Sequence, residues 1–166
     1  MSYSITIGEA RISAPEPSEA DEGSQPSVRA IGATHSEAPT FPGDDMTGNG
    51  NARHPGYSAW AEFTRAVGLH DFFFDESVGV MRRHPGAAML TQTHHARVLG
   101  ALLRYRERRP DARPGWREPM DGASPFDGPW KPETEGLDPD LARLVWLEWW
   151  VRWALDNCTV PVIANT

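Results

Sequence analysis

The sequence predicts an α+β fold: a mostly helical single domain built on a Trp-rich C-terminal core helix, with a small sheet from the terminal segments and long irregular loops. Three observations carry this. Residues 138–157, "DPDLARLVWLEWWVRWALDN", have a strong helix start and are apolar around most of their circumference. Both ends of the chain, "YSITI" and "TVPVIANT", read as extended. Between them, helical stripes alternate with Gly/Pro-rich stretches. A chain of 166 residues is long enough for one domain with a real core.

In chain order, Tyr3, Ile5 and Ile7 share one face at period two, the pattern of a half-buried strand. Gly8 is a candidate bulge, with Ala10 and Ile12 continuing beyond it. Residues 1–12 are therefore read as an N-terminal strand or arm. Residues 13–27 form an acidic Pro/Ser-rich linker that lacks the apolar surface to fold alone. Residues 28–166 are the globular helical domain, opening on a short strand at 28–33. Residues 38–56 form a long Gly/Asn/Asp/Pro loop, and loops of this length tend to be functional.

A helix follows, with Ser58 as its N-cap, Trp60, Phe63, Thr64 and Val67 inward, and Gly68 closing it before Leu69. "HDFFFDESVGVM" is a short helix or turn that sends phenylalanines into the core. Thr91 or Thr93 caps the next helix, which runs to Arg109 with Val98, Leu99, Leu102 and Leu103 as its stripe and Tyr105 at the edge. Residues 110–137 read as irregular. Asp138-Pro139-Asp140 then opens the strongest helix, with a capping acid, proline in the first turn and an acid at the positive dipole end. Trp146, Trp149, Trp150 and Trp153 cover one flank of it, and Glu148, Arg152 and Asp156 form its one charged stripe. Arg143 is placed to stack on Trp150. Pro161 restricts the C-terminal strand to an edge.

The net charge of −7 argues against general nucleic-acid binding. It is unevenly spread: residues 1–50 hold two basic and eight acidic groups, residues 51–120 eleven and seven, and residues 121–166 three and eight. The basic middle suits a small anion or the chain's own acidic ends. Fifteen of the sixteen basic residues are arginine, the mark of a GC-rich genome. There is no apolar run of membrane-spanning length and no signal-peptide pattern, and the single Cys158 fits a reducing compartment, so a cytoplasmic protein with no membrane partner is expected.

Catalytic and metal motifs are weak. The six histidines lack ligand spacing, and His94 and His95, being adjacent, diverge by about 100° on a helix. "DDMTGNGN" resembles the start of a calcium loop, but its twelfth position is Gly56 instead of a bidentate acid. Cys158 falls at a helix C-terminus, where the dipole disfavours a thiolate. No nucleophile elbow or phosphate-binding glycine loop is present. The reading is no metal, no cofactor and no assigned catalytic residue.

What remains is a repeated tetrapeptide, Arg53-His54-Pro55-Gly56 and Arg83-His84-Pro85-Gly86. Pro-Gly predicts a type II turn, here a corner before a helix. The flanking residues differ, so it is not a structural repeat. Arg53, His54, Arg83 and His84, joined by Asn49, Asn51 and Tyr57, are the candidate ligand-binding set; whether the two tetrapeptides share one pocket is left to the fold.

The stretches "FPGDDMTGNGNARHPGYSAWAEF", "MRRHPGAAML" and "LARLVWLEWWVRWALDNCTVPVIANT" resemble small hypothetical proteins encoded by bacteriophages and prophages of GC-rich hosts. The resemblance implies a virion or assembly component, or an accessory protein that binds a host factor or a small molecule. Three functions are weighed. The first is a non-enzymatic binding protein that recognises a small anionic or nucleotide-like ligand, or a host protein, through the 40–57 loop. The second is an oligomeric virion protein that uses residues 1–27 or the Trp face for self-association. The third is a hydrolase using loop His and Asp residues.

Overall fold

The computed structural model describes residues 2–14, 26–44 and 46–166. Helices account for 35% and strands for 27%, so the fold is α+β, with helix ahead of strand but short of a majority. Its largest sheet has five strands: β1 (Ile5–Ser13), β2 (Ser27–Ala30), β3 (Ala52–Arg53), β4 (Gly86–Met89) and, last in the chain, β9 (Pro161–Asn165). β1 pairs with β9 on one side and successively with β3 and β2 on the other, while β4 adds to β9. All these pairings are antiparallel. The two ends of the chain are tied directly, Ser4 and Thr166 exchanging both backbone hydrogen bonds.

The terminal segments do form a sheet together, and of the strand-or-arm reading of residues 1–12 the structure shows the strand: Ile5–Ser13 pair on both sides within the chain's own sheet. The central part of the 13–27 linker lies outside the described residues. β9 is likewise an inner strand, between β1 and β4, although it begins with proline. Pro161 is tolerated because it is the first residue, where a missing N–H disturbs the ladder least. Just before it, the Glu9 carboxylate accepts the backbone N–H groups of Thr159 and Val160, at 2.6 and 3.0 Å.

Nor does Gly8 make a bulge: it stays in register opposite Val162. Glycine is needed there because a Cβ would sit 3.0 Å from both the Asn51 amide nitrogen and the Ile31 carbonyl oxygen. Gly8→Ala is expected to destabilise the fold by about 1–3 kcal/mol, through overpacking and displacement of the Asn51 bonds. A thermal melt unchanged from wild type would refute that placement.

α1 (Tyr57–Ala66) starts one residue before the predicted cap, with Gly56 at the N-cap and no side-chain bond. Its inward face is the predicted one, Trp60, Phe63, Thr64 and Val67 all being buried. Its end is a Schellman motif: Gly68 is left-handed at φ 74°, its N–H reaches Arg65 O, and the Leu69 N–H reaches Thr64 O. α2 (His70–Phe74) buries Phe72 and Phe73. α3 (Gln92–Arg108) is capped by Thr91 in a reciprocal pair with His94. Its buried stripe is Val98, Ala101, Leu102 and Tyr105, whereas Leu103 is exposed.

Residues 110–137 are more ordered than predicted. They hold β5 (Arg113–Pro114), β6 (Pro119–Ser124), β7 (Gly128–Trp130) and β8 (Leu137–Asp138), with β6 and β7 paired antiparallel and β5 and β8 parallel. α4 (Pro139–Asn157) follows, its first turn closed by the Asp138 side chain. Trp146 and Trp150 are fully buried, together with Leu141, Leu144, Leu147 and Val151, in one core with Ile5, Ile7 and Ile163 of the sheet. Trp149 and Trp153 are only partly exposed, with His35 at ring distances of 5.4 and 6.3 Å. Burial of Trp146 and Trp150 within the chain removes half of the tryptophan face from any role in self-association. Arg143 does not lie on Trp150: it stands over Phe63 and Trp116, at 5.7 and 5.6 Å.

Candidate functional site

The two Arg-His-Pro-Gly segments meet one rung of the sheet from opposite sides. Arg53 is paired with Ile5, Ile5 with Asn165, and Asn165 with Gly86. Neither segment is a type II turn. Gly56 has φ −63° and caps α1, while Gly86 opens β4 after a cis His84–Pro85 peptide. The second segment therefore leads into a strand, not a helix.

The candidate residues separate into two groups. Arg53, on the core side with Ile5, is 1% exposed. Its guanidinium lies between the Trp116 and Trp146 rings, 5.2 Å from each centroid, and Nη2 donates to Asp44 Oδ2 at 2.8 Å. Burial pushes the Arg53 pKa down, opposed by Asp44 and reinforced by Arg143, yet a guanidinium remains charged. Asn51 is also buried and engaged: Oδ1 accepts the Ala33 N–H, and Nδ2 donates to the Ile7 and Ile31 carbonyls, all at 2.8 Å. Both residues are buried at 1% exposure and hold the loops before β3 to the sheet, so neither presents its polar atoms at the surface. Asn49 is exposed, and its carbonyl accepts the His35 N–H. His54 is exposed with Nδ1 2.9 Å from Ser4 Oγ. The open depression of about 370 Å³ beside the 40–57 loop includes His54 but no arginine, so the predicted recognition loop lacks its cation.

The second group does converge. Asn165 Nδ2 donates to the Arg83 carbonyl at 3.0 Å, which turns Asn165 Oδ1 toward His84 Nδ1, 2.6 Å away. Nδ1 must therefore carry the proton, leaving Nε2 to accept from the Tyr57 hydroxyl at 2.9 Å. Tyr3 packs on Tyr57 with ring centroids 4.2 Å apart. Tyr57 and His84, predicted from sequence, thus share one hydrogen-bonded chain across the sheet end, and this chain fixes the backbone at Arg83.

Arg83 itself faces a cavity of about 270 Å³ between residues 78–83 and β4, with His94 at its border. Its guanidinium makes no hydrogen bond or ion pair among the described residues, and no carboxylate lines the cavity. Arg82 also lines it and donates to the Ser77 carbonyl. His94 Nδ1 accepts the Thr91 N–H at 3.0 Å. Burial and then Arg97 lower its pKa from the ordinary histidine value, and with Nδ1 accepting from Thr91 the ring's donor is Nε2–H. Val78 and Met89, 73% and 63% exposed, give the cavity apolar rims. Arg82, His94, Val78 and Met89 were not in the predicted set. The one sequence signal for Arg82 is its place beside Arg83. Nothing local connects either arginine with His94.

A histidine–carboxylate pair exists elsewhere. His95 Nε2 lies 2.8 Å from Glu148 Oε1, and Arg152 Nε donates to the same oxygen at 3.2 Å. This set bridges α3 and α4 and lines neither of these two cavities. Among the described residues no cluster of three metal-ligating side chains occurs, and no helix is long and apolar enough to cross a membrane. No family model, curated protein or solved structure matches this chain.

Proposed function

We propose that this chain is a non-enzymatic binding protein that captures a small anionic group in the cavity beside β4. The observation that supports it most is Arg83, an exposed residue whose guanidinium has no partner among the described residues, lining a cavity together with Arg82 and His94 and with no carboxylate in that lining. Unspent charge-assisted donors around a concave space are what an oxyanion needs. An accessory protein of a bacteriophage, acting in the host cytoplasm on a host-derived ligand, fits this reading and the sequence resemblance.

Titration of the ¹⁵N-labelled chain with inorganic phosphate and with adenosine monophosphate tests it. Amide shifts are expected at Arg82, Arg83 and His94. Arg83→Ala should weaken binding by at least about tenfold, the scale of a charged hydrogen bond. Shifts confined to the 40–57 loop, or an affinity indifferent to Arg83, would contradict the assignment.

A further inference from the structure

Ala87, Ala88 and Met89 of β4 line the same cavity, and one side of β4 is unpaired among the described residues. Leu90 N–H bonds to Pro161 O, and the β4–β9 register then directs the N–H and C=O groups of Gly86 and Ala88 toward β9. Those of Ala87 and Met89 point the other way. Among the described residues no strand pairs with that side of β4. β2 curls toward β4 but forms no ladder with it.

An open edge is normally blunted by shortness, charge, proline, a bulge or a covering element. β4 is short, at four residues, but reads Gly-Ala-Ala-Met, with no charge or proline. Its small side chains let another backbone approach, and both Ala87 and Met89 are exposed. Val78 and Met89 offer apolar contacts beside the edge, and Arg82 and Arg83 bring positive charge to the same space. A compact inorganic anion would use the arginines but neither the apolar rims nor the free backbone groups. An extended acidic polypeptide uses all three at once: main-chain bonds to the edge, apolar side chains against the rims, and carboxylates on the arginines.

Building on the reading of the cavity as an anion site, we infer that its occupant is an acidic, extended segment of a partner protein, added to the sheet as a strand against β4. Charge complementarity selects acidic segments over basic ones, and the backbone edge selects extended ones over helices.

The test uses the full ¹⁵N-labelled chain and a blocked hexapeptide of alternating valine and glutamate. The expected result is a shift of the Ala87 and Met89 amides. N-methylation of one alternate set of peptide nitrogens should weaken binding about tenfold, and methylation of the other set should leave it unchanged, because only one set faces the edge. A hexapeptide with lysine in place of glutamate should not bind, and Arg83→Ala should weaken the acidic peptide. Equal tolerance of both methylation patterns, or equal binding of the lysine peptide, would overturn the inference. Arg83-dependent binding of phosphate without any of the acidic peptide would overturn it too, while leaving the anion site standing. If neither phosphate nor peptide moves the cavity amides, both readings fail.

Discussion

Asp44→Ala is expected to be among the most destabilising single changes in this protein, by about 3–5 kcal/mol, the usual effect of stranding one member of a buried ion pair. The Arg53 and Asp44 side chains are 2% and 3% exposed. Without the carboxylate, the guanidinium would remain between Trp116 and Trp146 with a weak 3.4 Å contact to Thr47 Oγ1, and its Nε already lacks a partner. A domain of this size is stable by only about 5–15 kcal/mol, so a large share would be lost. Arg53→Met should be similarly harmful, leaving Asp44 buried and unpaired. The double variant Asp44→Ala/Arg53→Met should be less unstable than the sum of the two, because no charge is left buried. Chemical denaturation of the four proteins measures this. Strict additivity would show that the two side chains do not act as a pair, and would reopen Arg53 as a ligand contact.

The second large effect is at Asp138, which serves two helices. Its Oδ1 accepts the Asp140 and Leu141 N–H groups at the start of α4, at 2.9 and 3.1 Å. Its Oδ2 accepts the Tyr105 hydroxyl of α3 at 2.6 Å. Asp138→Ala removes a cap worth about 1 kcal/mol and a buried hydrogen bond to a charged group worth about 1.5–3 kcal/mol. A total loss of about 2–4 kcal/mol is expected.

The same contact sets an alkaline limit. Burial first, then the hydrogen bond to and charge of Asp138, raise the Tyr105 pKa well above its ordinary value. An unfolded tyrosine releases its proton near pH 10. Between that pH and the raised folded value the native state holds more protons than the unfolded state, so stability falls as pH rises. The contribution is complete below about pH 10. Tyr105→Phe should be less stable near neutral pH but lose stability less steeply above pH 10. An unchanged alkaline slope in that variant would count against this origin.

Much of the architecture was legible because its causes are local. Thr91, Gly68 and Asp138-Pro139 mark helix ends through their own backbone chemistry, and the periodicity of α1 needs no distant partner. Errors arose where the cause is distant in sequence. Arg53 sits in a polar loop and reads as a recognition residue, but its position is decided by Asp44, Trp116 and Trp146, brought together by the fold. Tyr105 reads as the edge of its helix because the acceptor that lets its hydroxyl be buried is Asp138, on another element. β9 reads as an edge strand because proline lacks a donor, whereas Pro161 occupies the first position, where that loss is tolerated in an inner strand. The cavity beside β4 draws on residues 78–83, 87–89 and His94, whose meeting no local pattern announces. His84 lies within the second tetrapeptide and Tyr57 directly follows the first, which makes both legible, though their hydrogen bonds orient one another and the backbone at Arg83.

The most direct test of the central claim is native mass spectrometry of the protein purified from its own host, comparing wild type with Arg82→Ala/Arg83→Ala. The account predicts an anionic small molecule or acidic polypeptide that travels with the wild-type chain and is absent from the double variant. A wild-type chain that carries nothing, or a ligand retained equally by the double variant, would contradict it.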